Sequence, residues 1–158
     1  MTGLKAKDLM RSEILTVNPD WSIDQLADFF VENSISGGPV TTREDKLIGV
    51  VSLTDIVRHS SMPGRDLPRE DTSDYYLYGL EPQYSPQELK TFHIENETET
   101  RVRDIMTHVI FEVNEDTSIK QVADAMIRGR IHRVFVTKEK KLVGIISALD
   151  MLGIIRDM

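Results

Sequence analysis

The chain contains no cysteine. That absence excludes disulfides, thiolate chemistry and most structural zinc sites, and it fits a reducing cytoplasm. No apolar run reaches the roughly 20 residues that a membrane-spanning helix needs. The start, Met1-Thr-Gly-Leu-Lys, lacks the pattern of a secretory leader. An excess of positive charge is also missing. The formal net charge is −7, which argues against general binding to nucleic acid or to an anionic membrane. There is no G-x-x-x-x-G-K-[ST] loop, no G-x-S-x-G elbow and no protein-kinase motif set. His59, His93, His108 and His132 show no metal-ligand spacing. Carboxylates are plentiful, but nothing in the sequence pairs them in a cleft. The expectation from these absences is a protein with neither a metal site nor catalytic residues.

What the sequence does contain is a duplication. Met10 to Val40 recurs as Met106 to Val136, 96 residues later. Asn18-Pro-Asp-Trp-Ser22-Ile-Asp-Gln25 matches Asn114-Glu-Asp-Thr-Ser118-Ile-Lys-Gln121. Gly49-Val-Val-Ser52-Leu-Thr-Asp55 matches Gly144-Ile-Ile-Ser147-Ala-Leu-Asp150 after a one-residue deletion. A repeat of this kind predicts a pseudo-symmetric module with paired clefts and a shared interface.

Each copy reads as strand, helix, strand, strand, helix. In the first, Ile14–Val17 is a strand and Asn18-Pro-Asp a turn. Ser22 and Gln25 form a capping box that opens a helix. Ile23, Leu26, Ala27, Phe30 and Val31 fall on one helical face. Gly37-Gly38 breaks the helical pattern. Pro39–Thr42 and Leu47–Val51 are strands, and a second helix covers Leu53 to His59. In the second copy, Ser118 and Gln121 form the same box, and Ile119, Val122, Ala123, Met126 and Ile127 the same face. Val134–Thr137 and Leu142–Ile146 are its strands, and a helix covers Ala148 to Arg156. Strands without a polar face must be covered on both sides, and about 55 residues bury too little apolar surface to stand alone. The prediction is an α/β (α+β) fold in which two β-α-β-β-α repeats pack sheet to sheet. Met10 and Met106 read as core or interface filler, and Trp21 as a packing or dimer contact.

Three segments follow: repeat 1 over residues 4–59, a connector over 60–101 and repeat 2 over 102–157. The connector holds four basic and nine acidic residues, so most of the net charge is its own. Residues 60–74 read as a flexible loop. Tyr75, Tyr76, Leu77, Tyr78 and Leu80 form an aromatic cluster, and Ser85-Pro86-Gln87-Glu88 opens a short helix near Pro86–Phe92.

The motif Gly-h-h-Ser-x-x-Asp, where h is apolar, sits where a buried strand feeds a helix. A helix N-terminus offers free N–H groups to a phosphate. Ser52 or Ser147 has a hydroxyl for the same phosphate, and Asp55 or Asp150 can accept from two ribose hydroxyls. The same spacing also serves as an ordinary helix cap, worth about 1 kcal/mol.

Together these motifs resemble the cystathionine-β-synthase (CBS) domain, present as the tandem pair called a Bateman module. The resemblance covers both repeats. It implies a regulatory module, not an enzyme, that binds an adenosine-containing ligand, such as AMP, ADP or ATP, between the repeats, and that assembles as a homodimer. It needs no cofactor beyond that ligand. A further protein partner is compatible with it, whereas nucleic acid and membrane are not expected. The residues it points to are Thr16, Gly37, Gly38, Pro39, Ser52, Thr54 and Asp55 in the first copy, and His132, Arg133, Val134, Ser147 and Asp150 in the second. The alternatives are a ligand-free scaffold for dimerisation or docking, and a ligand of the S-adenosylmethionine or NAD type. The copies differ where it matters: Thr16 faces Glu112, Thr54 faces Leu149, and Gly37 faces Arg133. One good site and a second that is weaker or only assists is the expectation.

Overall fold

A computed structural model describes residues 3–59, 100–108 and 110–158. The loop, aromatic cluster and short helix expected in the connector lie outside the described residues. Repeat 1 holds α1 (Ala6–Leu9), α2 (Ile23–Asn33), β1 (Gly37–Thr41), β2 (Leu47–Ser52) and α3 (Leu53–Arg58). Repeat 2 holds α4 (Val102–Ile105), β3 (Glu112–Asn114), α5 (Ile119–Gly129), β4 (Arg133–Lys138), β5 (Lys141–Ser147) and α6 (Ala148–Arg156). Among the described residues, no helix is long and apolar enough to cross a membrane.

Both capping boxes form. The Gln25 N–H donates to Ser22 Oγ at 3.2 Å, and the Ser22 N–H donates back to Gln25 Oε1 at 2.8 Å. Ser118 and Gln121 repeat the exchange at 3.2 Å each way. The apolar faces then turn inward in part: Leu26, Phe30 and Val122 are completely buried, whereas Ile127, expected on the same face, is 75% exposed. Helix α2 ends not at the glycine pair but at Ser34, which adopts a left-handed φ of 53°. Gly37 and Gly38 lie inside β1.

β1 and β2 form an antiparallel hairpin, and β4 and β5 form its counterpart. In repeat 2, β3 adds a parallel third strand. Its expected twin, Ile14–Val17, contracts to a single bridge between Val17 and Val40. The cause is local. The Phe135 N–H donates to the Phe111 carbonyl at 3.0 Å. Pro39 stands at the equivalent of Phe135 and has no N–H to give. The ladder therefore starts only at Val17, whose N–H donates to the Pro39 carbonyl at 2.9 Å, and it ends there too, because Pro19 stands at the equivalent of Glu115, whose N–H donates to the Thr137 carbonyl at 3.1 Å.

The single-turn helices α1 and α4 were not anticipated from the sequence, and each belongs to the other repeat. The Ala6 N–H donates to the Thr117 carbonyl at 2.8 Å, and Ala6 is buried with Val122, Val134 and Ile146. In return, the Val102 N–H donates to the Trp21 carbonyl at 3.0 Å, and Val102 and Ile105 are buried with Leu26, Phe30 and Val51. The arms continue as bridges. Arg11 pairs with Ile145, and Thr107 with Val50. A third cluster joins the two sheets, with Val50 and Phe135 fully buried among Leu47, Leu142 and Ile145. Burying side chains of this size contributes about 1.5–3 kcal/mol each.

The exchange explains the motif's glycines. A Cβ on Gly49 would lie 2.7 Å from Met106 Sδ and 2.9 Å from the Thr107 carbonyl oxygen. A Cβ on Gly144 would collide with the Met10 side chain. Each methionine thus lies flat on the other repeat's glycine. The Thr107 carbonyl cannot retreat without breaking its bond from the Val50 N–H, 2.9 Å long. Gly49→Ala should destabilise the protein by about 1–3 kcal/mol, read as a lower midpoint in urea. Gly153→Ala, where a Cβ meets nothing within 4 Å in α6, should be neutral or stabilise by up to about 1 kcal/mol.

Candidate functional site

The hairpins fix where the Ser-x-x-Asp turns lie. Gly37 pairs with Ser52 across the first hairpin, and Arg133 pairs with Ser147 across the second. The Leu53 N–H donates to the Ser36 carbonyl and the Ala148 N–H to the His132 carbonyl, both at 2.9 Å. Each turn is therefore held against the strand that opens beside it.

A cavity of about 440 Å³ opens between the repeats. One wall comes from Glu13, Ile14, Leu15, Ser36, Gly37 and Pro39, and the other from Arg133 and Ile145. Its size is typical of small-molecule sites. Of the residues singled out in the sequence, this cavity gathers Gly37, Pro39 and Arg133. Thr16 lines a separate space of about 220 Å³ with Asn18, Trp21, Thr41, Thr42, Arg43 and Asp45. Gly38 is buried, with the Leu15 carbonyl oxygen 3.5 Å from where its Cβ would be. His132 is exposed beside an apolar hollow of about 420 Å³ between α5 and α6. Val134 is buried in the second core. Glu13, Leu15 and Ile145 are cavity residues that sequence reasoning missed. Leu15 is 47% exposed there.

Ser52, Thr54 and Asp55 are nearly fully buried. The Ser52 N–H donates to Asp55 Oδ2 at 2.7 Å, its hydroxyl to the same oxygen at 3.2 Å, and Ser52 Oγ shares a 3.0 Å hydrogen bond with Thr54 Oγ1. Ser147 and Asp150 are arranged alike. The Ser147 N–H and hydroxyl donate to Asp150 Oδ2 at 2.9 and 3.0 Å, and the Asp150 N–H donates back to Ser147 Oγ at 3.2 Å. Both motifs thus act as helix caps, and none of Ser52, Thr54, Asp55, Ser147 and Asp150 lines the 440 Å³ cavity. On Asp150 a further donor is present: Arg11 Nε donates to Oδ1 at 3.0 Å. Among the described residues, no three His, Asp or Glu side chains gather to hold a metal.

Partial burial alone would raise the Asp150 pKa, but the hydrogen bonds from Ser147 and Arg11 outweigh it and hold the carboxyl below its ordinary value. A depressed folded-state pKa gives stability that is fully present above about pH 4 and lost as pH falls through the folded value. Asp150→Asn should therefore be less stable than the unaltered protein near neutrality. In urea unfolding the gap should narrow progressively below about pH 4.

The family model for the CBS domain matches residues 6–61 and 102–157. An uncharacterized protein, MJ1426, of Methanocaldococcus jannaschii is 31% identical over 149 residues, which is 92% of this chain and 88% of that protein. Other relatives from the same archaeon are longer, and the chain spans between 23% and 42% of their lengths. Among solved structures, a CBS domain-containing protein of unknown function from Bacillus anthracis superposes with a TM-score of 0.70 at 17% identity, covering 98% of this chain and 94% of that one. The structure of CBSX2 in complex with AMP superposes with a TM-score of 0.67 at 23% identity, covering 99% of both chains.

Proposed function

The chain belongs to the CBS domain family, which its two matched repeats establish, and on that premise we propose that it is a regulatory module binding an adenosine nucleotide (AMP, ADP or ATP) between its repeats. The observation that carries this reading is the cavity walled by Gly37 and Pro39 on one side and Arg133 on the other. The strand backbone at Gly37–Pro39 lets a flat base approach, and a guanidinium suits the two-point grip that a phosphate offers. The Ser52-Thr54-Asp55 turn is paired across from Gly37 but is buried and outside the cavity lining, so on this reading it opens to offer hydroxyl and carboxylate to phosphate and ribose. The AMP bound in the CBSX2 complex supports the choice of ligand class.

Such a ligand would report through the fold. The cavity has walls from both repeats, so occupancy favours one relative placement of the two. A surface that depends on that placement then changes for whatever binds it. We further propose that the protein works in the cytoplasm as a homodimer joined through α5 and α6. Ile127, Leu149, Leu152 and Ile155 are 56–75% exposed there, and their α3 counterpart in repeat 1 is buried instead. A contiguous apolar face of this kind marks an association surface. Leu152→Glu with Ile155→Glu should convert a dimer to a monomer in sedimentation equilibrium, with the fold intact.

AMP, ADP and ATP should each be tested for a rise in melting temperature. A ligand at 100 times its dissociation constant stabilises by about 2.7 kcal/mol, which is readily visible. Arg133→Ala should weaken binding roughly tenfold or more, since a hydrogen bond to a charged group is worth about 1.5–3 kcal/mol. No shift with any nucleotide would favour the scaffold reading, and unchanged affinity in Arg133→Ala would remove this cavity from the site.

A further inference from the structure

The cavity between the repeats carries charge of both signs, and that balance bears on how many phosphates its ligand has. We infer that Glu13 makes this cavity a nucleoside monophosphate site, which binds AMP in preference to ADP and ATP. The inference rests on the nucleotide reading above and adds to it the charge of the ligand.

Among the described lining residues two are charged, Glu13 from repeat 1 and Arg133 from repeat 2, and their charges cancel. Both stand where the duplication has diverged: Glu13 is matched by Val109, and Arg133 by Gly37. Divergence has thus put one charge of each sign on the two walls of a single cavity. The same polarity extends to the whole repeats. Residues 1–59 hold six basic and nine acidic side chains, whereas residues 102–158 hold nine basic and eight acidic.

Glu13 is held at the seam between the repeats. Just before it, the Arg11 N–H donates to the Ile145 carbonyl at 2.9 Å, and the Arg11 carbonyl accepts from the Ile145 N–H at 3.0 Å. Just after it, the Val17 N–H donates to the Pro39 carbonyl at 2.9 Å. Ile145 and Pro39 themselves line the cavity, so the stretch between these anchors runs along its edge. Glu13 is exposed and forms no ion pair among the described residues. Its charge therefore acts on whatever enters.

One guanidinium offers one two-point grip, and a single phosphate fills it. A second and third phosphate meet no further cation among the described lining residues, and each brings negative charge towards the Glu13 carboxylate. Two like charges about 10 Å apart repel by an amount equivalent to roughly twofold to fifteenfold in affinity, the lower figure applying in full contact with water. Glu13 is exposed, so the two extra phosphates of ATP together should cost about tenfold.

The test titrates AMP, ADP and ATP into the full chain by calorimetry. Divalent cations are left out, because they would mask the phosphate charge. The expected order is AMP, then ADP, then ATP, with ATP about tenfold weaker than AMP and the gap shrinking in about 0.5 M salt. Glu13→Gln keeps the shape and removes the charge, and it should narrow the gap to about threefold; Glu13→Lys should reverse the order. Both variants should keep the fold, since the side chain is exposed, and an unchanged urea midpoint checks this. Binding of ATP as tight as AMP by the unaltered protein, or a preference for AMP that persists unchanged in both variants, would overturn the inference and leave the nucleotide reading standing. No binding of any nucleotide by the unaltered protein would overturn both.

Discussion

The structure depends on a reciprocal contact: Met10 lies on Gly144 and Met106 on Gly49. Each methionine ends an arm that begins with one helical turn, Ala6–Leu9 or Val102–Ile105, and each arm is buried in the opposite repeat. Neither repeat's core is complete without the other's arm. A flexible thioether suits this position because it can lie flat along a strand that presents no side chain. The glycines are required there for the approach of the chain itself, not of a ligand.

That interlock sets the geometry of the clefts. With both arms fixed, the two hairpins meet over Val50 and Phe135, and the strands that lead to the Ser-x-x-Asp turns open side by side. The repeats then diverge by small chemical differences on a common frame. Proline at position 39 removes one ladder hydrogen bond, shortens a strand and leaves Leu15 lining a cavity. Phenylalanine at 135 keeps that bond and holds Phe111 inward. Arg11 reaches Asp150 from an arm whose twin carries Thr107.

Much of this was legible locally. The capping boxes at Ser22 and Ser118, the buried faces of α2 and α5 and the α6 boundaries follow from short-range pattern. Of the twelve residues that the family resemblance singled out, Gly37, Pro39 and Arg133 line one cavity and the other nine do not. What stayed hidden is non-local. Lys5 and Asp8, like Arg101 and Asp104, carry the cap that closes each short turn, with N–H to carboxylate distances of 2.8 Å, but nothing in a four-residue helix tells which repeat it will join. The Ile14–Val17 strand was misread because its apolar pattern is strand-like, whereas its pairing is cut at one end by Pro19 and at the other by Pro39, more than twenty residues away. The second role of Asp150, as partner to Arg11 across 139 positions, has no local signature at all.

If the arms interlock the two cores, the repeats must unfold together. Trp21 is the one tryptophan, packed against the first core, and its fluorescence reports repeat 1. Amide hydrogen exchange at Val134, Phe135 and Val136 reports repeat 2. Followed through a urea titration of the full chain, the account predicts that both report one transition with a single midpoint. Two separate midpoints, with the Trp21 signal lost while the Val134–Val136 amides stay protected or the reverse, would contradict it.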